Sequence, residues 1–268
     1  MTKNSTPRPI AFILAATNHG TMIVNRHDQV IAPDGQSGYG VGFQLLNISA
    51  FDQDEVDLVI QLLESRKIHF GSGVIAIDCG ANIGVHTIEW SKLMHNWGEI
   101  IAIEAQERIF YALAGNISLN NCFNVKAIWA AIGNNVGTIN VPIPNYFTPS
   151  SFGSLEIRKT IKTEYVGQEI DYSDQRTQIT PLISIDSLGL NRLDFIKVDI
   201  EGMEMEALTG AHHMIKTHKP QLLIETIKSN KDEIYSFMSD LGYKTYEIGI
   251  NLLAIHHSDP AASIIKAT

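Results

Sequence analysis

The segment Asp78-Cys-Gly-Ala-Asn-Ile-Gly84 sets an acidic side chain at the head of a glycine-punctuated turn. An apolar run, Val74-Ile-Ala-Ile77, precedes it and a helix-compatible stretch follows. That is the setting in which such a turn seats a cofactor. Gly80 predicts a sharp turn with room for a ligand against the backbone, and Gly84 predicts close helix–strand packing. Where a dinucleotide-binding turn begins with glycine, this one has Asp78. A doubly negative pyrophosphate would be disfavoured beside that carboxylate.

Glu104 closes the next apolar run, Ile100-Ile-Ala-Ile103. An acidic residue there can accept hydrogen bonds from two ribose hydroxyls; the plainer alternative is a solvated carboxylate at a helix start. Asp78 favours a cationic ligand, and the sulfonium and amine of S-adenosylmethionine fit that charge better than NAD does. A third group is Lys197-Val-Asp-Ile-Glu-Gly202, whose Asp199 and Glu201 follow a short apolar strand. Two residues apart, they point the same way if the strand continues. Glu225 ends the neighbouring run, Gln221-Leu-Leu-Ile224. Three carboxylates gathered there repel one another unless protonated, paired or cation-bound. One of them then serves as a general base, or the set Asp199, Glu201 and Glu225 holds a divalent cation such as Mg or Mn. Capping of the next helix is the bland alternative for Glu201.

His86 follows Gly84 and faces the same end of the sheet. It can meet the cofactor's carboxylate, act as a base, or be a structural histidine. His212 and His213, with His218 beyond them, read as solvated helix residues, since adjacent positions do not share a helix face. His256-His257 lack the carboxylate pattern of a metal site. Cys79 and Cys122 form no CxxC pair and suggest a reducing, cytoplasmic setting without disulfides.

The elements that must position these groups follow from periodicity. Strand and helix alternate from Val74 onward: Val74–Asp78, a helix with Trp90, Leu93, Met94 and Trp97 on one face, Ile100–Ile103, a helix with Phe110, Leu113, Ala114 and Ile117, then Asn124–Trp129. This is the pattern of a mostly parallel sheet with helices on both faces. Gly137–Val141 adds a strand that Pro142 and Pro144 end. Residues about 145–178 are polar and aperiodic, an insertion that would cap the site. Phe195–Ile200, a helix with Leu208, Ala211 and Ile215, and Gln221–Ile224 resume the alternation. Asn230 and Glu233 cap a last helix, Gly242 follows its end, and Tyr243–Tyr246 with Leu252–Ile255 predict an antiparallel edge. Before this unit, residues 1–70 read as an accessory segment. Met22–Val24, Gln29–Ile31 and Gly42–Leu46 are expected strands, Pro33-Asp34-Gly35 a turn, and Asp52 with Glu55 a helix N-cap. The apolar run Ile10–Ala16 is expected as a buried strand; a signal-peptide core is the less favoured reading. Residues 71–268 form the main domain.

The 268 residues carry a net charge of −9, which argues against nucleic acid as a partner. No stretch approaches the roughly 18 unbroken apolar residues of a membrane span. A homo-oligomer is compatible with the sequence.

Asp78–Gly84, Ile103-Glu104, Asn116-Ile-Ser-Leu-Asn120, Asp194–Gly202 and Pro220–Glu225 resemble, in order and spacing, the motif series of the FkbM methyltransferases, and Phe152-Gly-Ser154 resembles a turn in that family's inserted region. The resemblance spans about residues 70–226. It implies a Rossmann-like class I methyltransferase fold, S-adenosylmethionine as donor, and O-methylation of a saccharide or small natural product. Asp78, Gly80, Ala81, Asn82, Gly84, His86, Glu104, Ala105 and Asp199 would then touch the cofactor. Asp199, Glu201 and Glu225, in that order, are candidates for activating the acceptor hydroxyl. The sequence departs from the family at Glu104-Ala105-Gln106, where many members have Glu-Pro, which implies a different adenosine pocket; His86 is a second departure. Tyr146, Phe147, Phe152, Tyr165 and Tyr172 of the insertion would stack on a sugar or pack the cap. Two rivals remain at this point: an NAD-dependent oxidoreductase, and a non-catalytic binding or scaffolding module on the same fold.

Overall fold

The computed structural model describes residues 9–32 and 38–263; the expected turn at Pro33-Asp34-Gly35 lies outside them. In chain order the elements are β1 (Phe12–Thr17), β2 (Gly20–Asn25), β3 (Val30–Ile31), β4 (Gly38–Tyr39), α1 (Val41–Ile48), α2 (Gln53–Phe70), β5 (Val74–Cys79), α3 (Val85–Leu93), β6 (Gly98–Glu104), α4 (Glu107–Leu119), β7 (Val125–Trp129), β8 (Ala131–Ile132), β9 (Gly137–Pro142), β10 (Thr177–Ile183), β11 (Phe195–Val198), α5 (Glu204–Thr209), α6 (His212–His218), β12 (Gln221–Glu225), α7 (Lys231–Asp240), β13 (Tyr243–Ile248) and β14 (Asn251–His256).

Seven strands form the central sheet in the order β13-β14-β12-β11-β5-β6-β7. β12, β11, β5, β6 and β7 run parallel. β14 pairs antiparallel with β12, and β13 antiparallel with β14. From β5 the chain moves outward through β6 to β7, then returns to the other side of β5 as β11. The order therefore reverses between β5 and β11, and the crevice outside the carboxyl ends of those two strands is where ligands settle in such sheets. Val74–Cys79 and Phe195–Val198 are almost entirely buried, as continuous apolar strands covered on both faces must be. One core cluster holds Ile77, Ile103, Ile196, Leu208, Ile215, Ile224 and Met238; another, on the opposite face, holds Leu63, Trp90, Met94, Ile100, Phe195 and Ile255.

The accessory elements share a core with the sheet unit. Met22 and Val24 of β2, Val41 and Leu45 of α1 and Val56 of α2 pack with Ile83, Ile88, Ile109 and Ala112. Asn116 fastens this layer: its Nδ2 donates to the carbonyls of Ile83 (2.8 Å) and Ile23 (3.2 Å), and its Oδ1 accepts the Ile23 N–H.

Several expectations need correction. Gly42–Leu46 is helical, because Val41 and Leu45 share one buried face at a spacing of four; a five-residue apolar window does not separate that period from two. Ile10–Ala16 supplies β1, but as one strand of a hairpin that has no further strand partner among the described residues, and Leu14 is 64% exposed. Asp52 precedes α2 but has φ 39° and makes no side-chain cap. The single helix expected through Leu208, Ala211 and Ile215 is two short helices, Glu204–Thr209 and His212–His218, broken at Gly210-Ala211. β8 and β10 were not expected: with β9 they build a second, three-stranded sheet in the order β8-β10-β9. Its central strand, Thr-Gln-Ile-Thr-Pro-Leu-Ile, carries Pro181, which reads against a strand in sequence. The insertion therefore ends at β10, and residues 143–173 hold no α-helix or named strand.

Candidate functional site

A cavity of about 380 Å³ opens at the β5/β11 reversal. The glycine turn, the end of β6, Ala130–Ile132, the turn after β11 and the end of β12 line it, as do parts of the N-terminal segment and of the insertion.

The turn from β5 into α3 is set by its neighbours. Gly80 has φ 80°, and a Cβ there would lie 1.8 Å from the Asp199 carbonyl oxygen. The space that the glycine leaves is thus filled by the backbone after β11, not by a ligand. Gly84 has φ 93°, and its missing Cβ admits Leu113 of α4, so it permits helix–helix rather than helix–strand packing. The five N–H groups from Gly80 to Gly84 all have internal acceptors: Ile103 O for Gly80 and Ala81, Ala81 O for Gly84, Glu104 Oε2 for Asn82, and Asn82 Oδ1 for Ile83. None is offered to a pyrophosphate lying on the turn, which is what Asp78 also argues. Val85, His86 and Thr87, the first residues of α3, make no N–H hydrogen bond among the described residues. These helix-start donors suit a carboxylate.

Asp78 is 1% exposed and accepts from Thr87 Oγ1 at 2.6 Å. Glu104 is buried; its Oε1 accepts the Gln106 N–H at 2.8 Å and its Oε2 the Asn82 N–H at 3.0 Å. Burial lifts its pKa to about 7 against the pull of those N–H groups. Each carboxylate oxygen keeps a lone pair for a ligand hydroxyl. Gln106, at the departure from the family pattern, donates to the Phe152 carbonyl (2.8 Å) and accepts from Tyr146 (3.2 Å). The amide therefore ties the insertion to the turn that Glu104 braces.

Asp199, Glu201 and Glu225 do converge: each offers an oxygen, and these lie within 4.8 Å of one another. The route differs from the one expected. β11 ends at Val198, and Glu201 swings in through a left-handed backbone, φ 56°. Such a conformation costs a residue with a Cβ of order 1 kcal/mol or more and persists only where neighbours fix it. Glu204 is one such neighbour, with Oε1 accepting from Ile200 N (3.2 Å) and Gly202 N (3.1 Å) and Oε2 accepting from Ser229 Oγ. Lys228 is another: its Nζ lies 2.7 Å from Glu201, 3.3 Å from Glu164 and 2.7 Å from the Ser154 carbonyl.

Two lysines divide the charge of the cluster unevenly. Lys197 sits 2.6 Å from Asp199 and 3.7 Å from Glu55. Burial opposes its charge, but Asp199, Glu55 and Asp78 outweigh burial and hold it protonated. Lys228 serves Glu201. Glu225 has no hydrogen-bond or ion-pair partner among the described residues. Burial, then Asp199 and Glu201, push its pKa to about 9; burial and Asp199 push Glu201 to about 8 against Lys228.

His86 lines the cavity, but its Nε2 is 3.1 Å from Glu55 and its Nδ1 is buried without a partner. Nε2 is thus engaged with Glu55, and Nδ1 is closed off from solvent. Glu55 was read only as part of a cap. Here it takes His86, Lys197 and Asn251 Nδ2 (2.6 Å) on one carboxylate, and although burial works against ionisation, these partners lower its pKa to about 2. No local sequence signal marks Glu55 or Asn251, because their partners are distant in sequence. Of the insertion's aromatics, none lines the cavity. Phe152 is 1% exposed, Tyr146 stacks on it at 4.9 Å, and Phe147 and Tyr165 face solvent. The insertion instead contributes Ser151, Gly153–Leu155 and Ile157, and the aromatic lining is Tyr39 and Phe51. His212 and His213 are exposed as expected. His256 and His257 stack at 4.1 Å beside no carboxylate cluster.

The model of the methyltransferase FkbM domain matches residues 78–245. Methyltransferase sdnD of Sordaria araneosa is 24% identical over 193 residues, covering 64% of this chain and 74% of that one. Methyltransferase 1 of Beauveria bassiana is 25% identical over 142 residues, 50% and 57% of the two chains. The crystal structure of methyltransferase FkbM from Methylobacillus flagellatus is 20% identical with a TM-score of 0.47, covering 72% of this chain and 48% of that one. The chain thus spans about three quarters of the first relative, and a little over and a little under half of the other two.

Proposed function

The chain belongs to the FkbM family of S-adenosylmethionine-dependent methyltransferases, and from that premise we propose that it methylates a hydroxyl oxygen of a saccharide or small natural product. The observation that carries the choice of oxygen is Glu225, a partly buried carboxylate without a partner, beside Asp199 and Glu201 at the strand-order reversal.

S-adenosylmethionine, when bound, supplies an electrophilic methyl group on a sulfonium. The residues fit it. Asp78, Ala81, Asn82, Glu104 and Ala105 present an acidic, close-fitting seat, and Ala130–Ile132 an apolar wall. Glu104 has lone pairs for ribose hydroxyls, and the free N–H groups at Val85–Thr87 suit the amino-acid carboxylate. An alcohol is a weak nucleophile while protonated, so the acceptor side must remove a proton. Asp199 is paired with Lys197 at 2.6 Å and Glu201 with Lys228 at 2.7 Å, so both carboxylates are engaged, whereas Glu225 has no such partner. Glu225 is therefore the favoured base, a reordering of the three candidates. Asp199 orients, and Lys197 limits the repulsion that ionising Glu225 creates. The cavity otherwise aligns donor and acceptor and excludes water, which suffices when the donor is already activated.

The spacing of the three carboxylates favours a second reading of the same cluster, as oxygen ligands for Mg or Mn. Residues 1–70 act as an accessory segment that closes the cavity through Tyr39, Phe51 and Glu55. Among the described residues no helix is long and apolar enough to cross a membrane. Two buried free thiols, Cys79 and Cys122, support a reducing, cytoplasmic setting.

The test is transfer of labelled methyl from S-adenosylmethionine to a panel of glycosides and alcohols, with magnesium, manganese or EDTA. Oxygen-linked label that depends on Glu225 supports the proposal. Tight cofactor binding with no transfer across the panel would favour the binding-module alternative.

A further inference from the structure

The part of the cavity formed by the ends of β11 and β12 and by the N-terminal segment is lined by five carboxylates: Asp52, Glu55, Asp199, Glu201 and Glu225. Among the described residues, Lys197 is the single lysine or arginine that lines the cavity at all. It is already engaged, 2.6 Å from Asp199 and 3.7 Å from Glu55, with its side chain 6% exposed. Lys228 reaches the wall from behind and is held by Glu201 and Glu164. The one hydrogen bond of Lys197 goes to Asp199, and Lys228 is bonded to Glu201, Glu164 and the Ser154 carbonyl.

The backbone reinforces this. A turn at the carboxyl end of a strand is where N–H groups usually receive a phosphate. After β11 the Ile200 and Gly202 N–H groups already donate to Glu204, a residue 1% exposed. The protein's own carboxylate occupies the position that a ligand anion would take. The turn after β5 is closed in the same way, with Glu104 on the Asn82 N–H. The lining on this side also holds Tyr39, Phe51, Ile227 and Ile250, with the amides of Gln44 and Asn251 bonded to Asp52 and Glu55. Carboxylate oxygens that accept from hydroxyls, beside flat apolar surface, recognise an uncharged polyol. A phosphate of charge about −1.5 to −2 would crowd against the Asp199 and Glu55 carboxylates, with Lys197, already bonded to Asp199, the one cation among them.

Resting on the O-methylation reading above, we propose that the acceptor enters as an uncharged, hydroxyl-rich compound bearing no phosphate or carboxylate. If it is a sugar, methylation follows the step that removes its activating group. The supplying reaction is of the class that releases a neutral product, glycosyl transfer or phosphate-ester hydrolysis, and not nucleotide activation. The step balances as ROH plus the sulfonium giving ROCH3, the thioether and a proton.

The experiment uses the whole chain loaded with S-adenosylhomocysteine and titrated, in EDTA and in magnesium, with octyl glucoside, its 6-phosphate, octyl glucuronide and UDP-glucose. Transfer of labelled methyl to the same compounds is measured in parallel. The expected result is that the neutral glucoside binds at least about 100-fold more tightly than each charged counterpart, about 2.8 kcal/mol at 1.4 kcal/mol per tenfold. At pH 9.5, where both carboxylates are ionised, a Glu201→Gln/Glu225→Gln variant narrows that ratio at least about tenfold. Equal or tighter binding of a phosphorylated or carboxylated member overturns the proposal, with or without magnesium, as does binding of none of them at millimolar concentration. Neutral selectivity without any methyl transfer supports this proposal and counts instead against the O-methylation reading.

Discussion

Replacing Glu225 by Gln keeps its shape and removes its ability to take a proton. The wild-type group sits at a pKa of about 9 through burial and the charges of Asp199 and Glu201. At pH 7.5 about 3% of it is ionised, so the transfer rate rises about tenfold per pH unit and levels near pH 9. Glu225→Gln lowers kcat about 10²–10⁴-fold and flattens that profile, while the Kd for S-adenosylmethionine stays within about twofold. Stability moves the other way. The folded pKa lies above the unfolded value of 4.5, so between those two values the folded state binds more protons. Stability is then fully present at the acid end and falls as pH rises towards 9. Each pH unit is worth about 1.4 kcal/mol for an isolated group. Coupling to Glu201 and partial solvation reduce the gain at pH 7.5 to on the order of 2 kcal/mol for the Gln variant. Urea unfolding in EDTA at pH 5.5 and 7.5 reads the stability, and initial rates from pH 6.5 to 9.5 read the catalysis. A variant that keeps the wild-type rate and its rise with pH, or that is less stable at pH 7.5, refutes the assignment of Glu225 as base.

Other perturbations address the frame of the site. Arg66, 4% exposed, is bonded to Asp194 and Asp259 (3.1 and 2.7 Å); Arg66→Ala should cost about 3–5 kcal/mol in urea unfolding, because it leaves buried carboxylates short of a partner. Lys228→Met severs the link from Glu201 to Ser154 and Glu164. It should raise the acceptor KM about tenfold, leave the cofactor Kd unchanged, and speed proteolytic cutting within 143–176; an unchanged KM would show that the insertion does not shape acceptor binding. Gly80→Ala drives a methyl group into the Asp199 carbonyl. It should abolish cofactor binding or lower the unfolding free energy by more than about 2 kcal/mol, and a variant with wild-type calorimetry and Tm would contradict the close approach of β5 and β11.

The sheet unit was readable because its strands are short, apolar and separated by helices with clear stripes, so β5, β6, β11 and β12 each announce the acidic residue that ends or follows them. Asp78, Glu104, Asp199, Glu201 and Glu225 stand at the cavity for that reason. What the sequence withheld lies in long-range contact. Glu55 and Asn251 meet 196 positions apart, and neither has a local pattern that distinguishes it from a helix-start carboxylate or an edge-strand amide. The insertion's aromatics drew attention by chemistry, yet Phe152 is occupied in packing and hydrogen bonding, its N–H given to Asp28 (3.1 Å) and its carbonyl to Gln106 (2.8 Å). The strand at Thr177–Ile183 was hidden by Pro181, which its partners in the small sheet accommodate. Gln44, which hydrogen-bonds Asp52, takes its place at the cavity through the helix Val41–Ile48 that was expected as a strand.

The measurement that bears most directly on a methyltransferase site in this cavity is calorimetric titration with S-adenosylmethionine and S-adenosylhomocysteine, comparing the parent chain with Glu104→Gln. Glu104 has a pKa of about 7, and ligand hydroxyls favour its ionised form. Affinity for both ligands should therefore be micromolar and tighten from pH 6 to pH 8 with release of a proton. The Gln variant, still folded by circular dichroism, should bind at least about tenfold more weakly, the loss expected of a charge-assisted hydrogen bond, and without that pH dependence. Absence of heat and of thermal shift with folded parent protein, or a variant that binds as the parent does, would contradict the placement of the cofactor on Glu104.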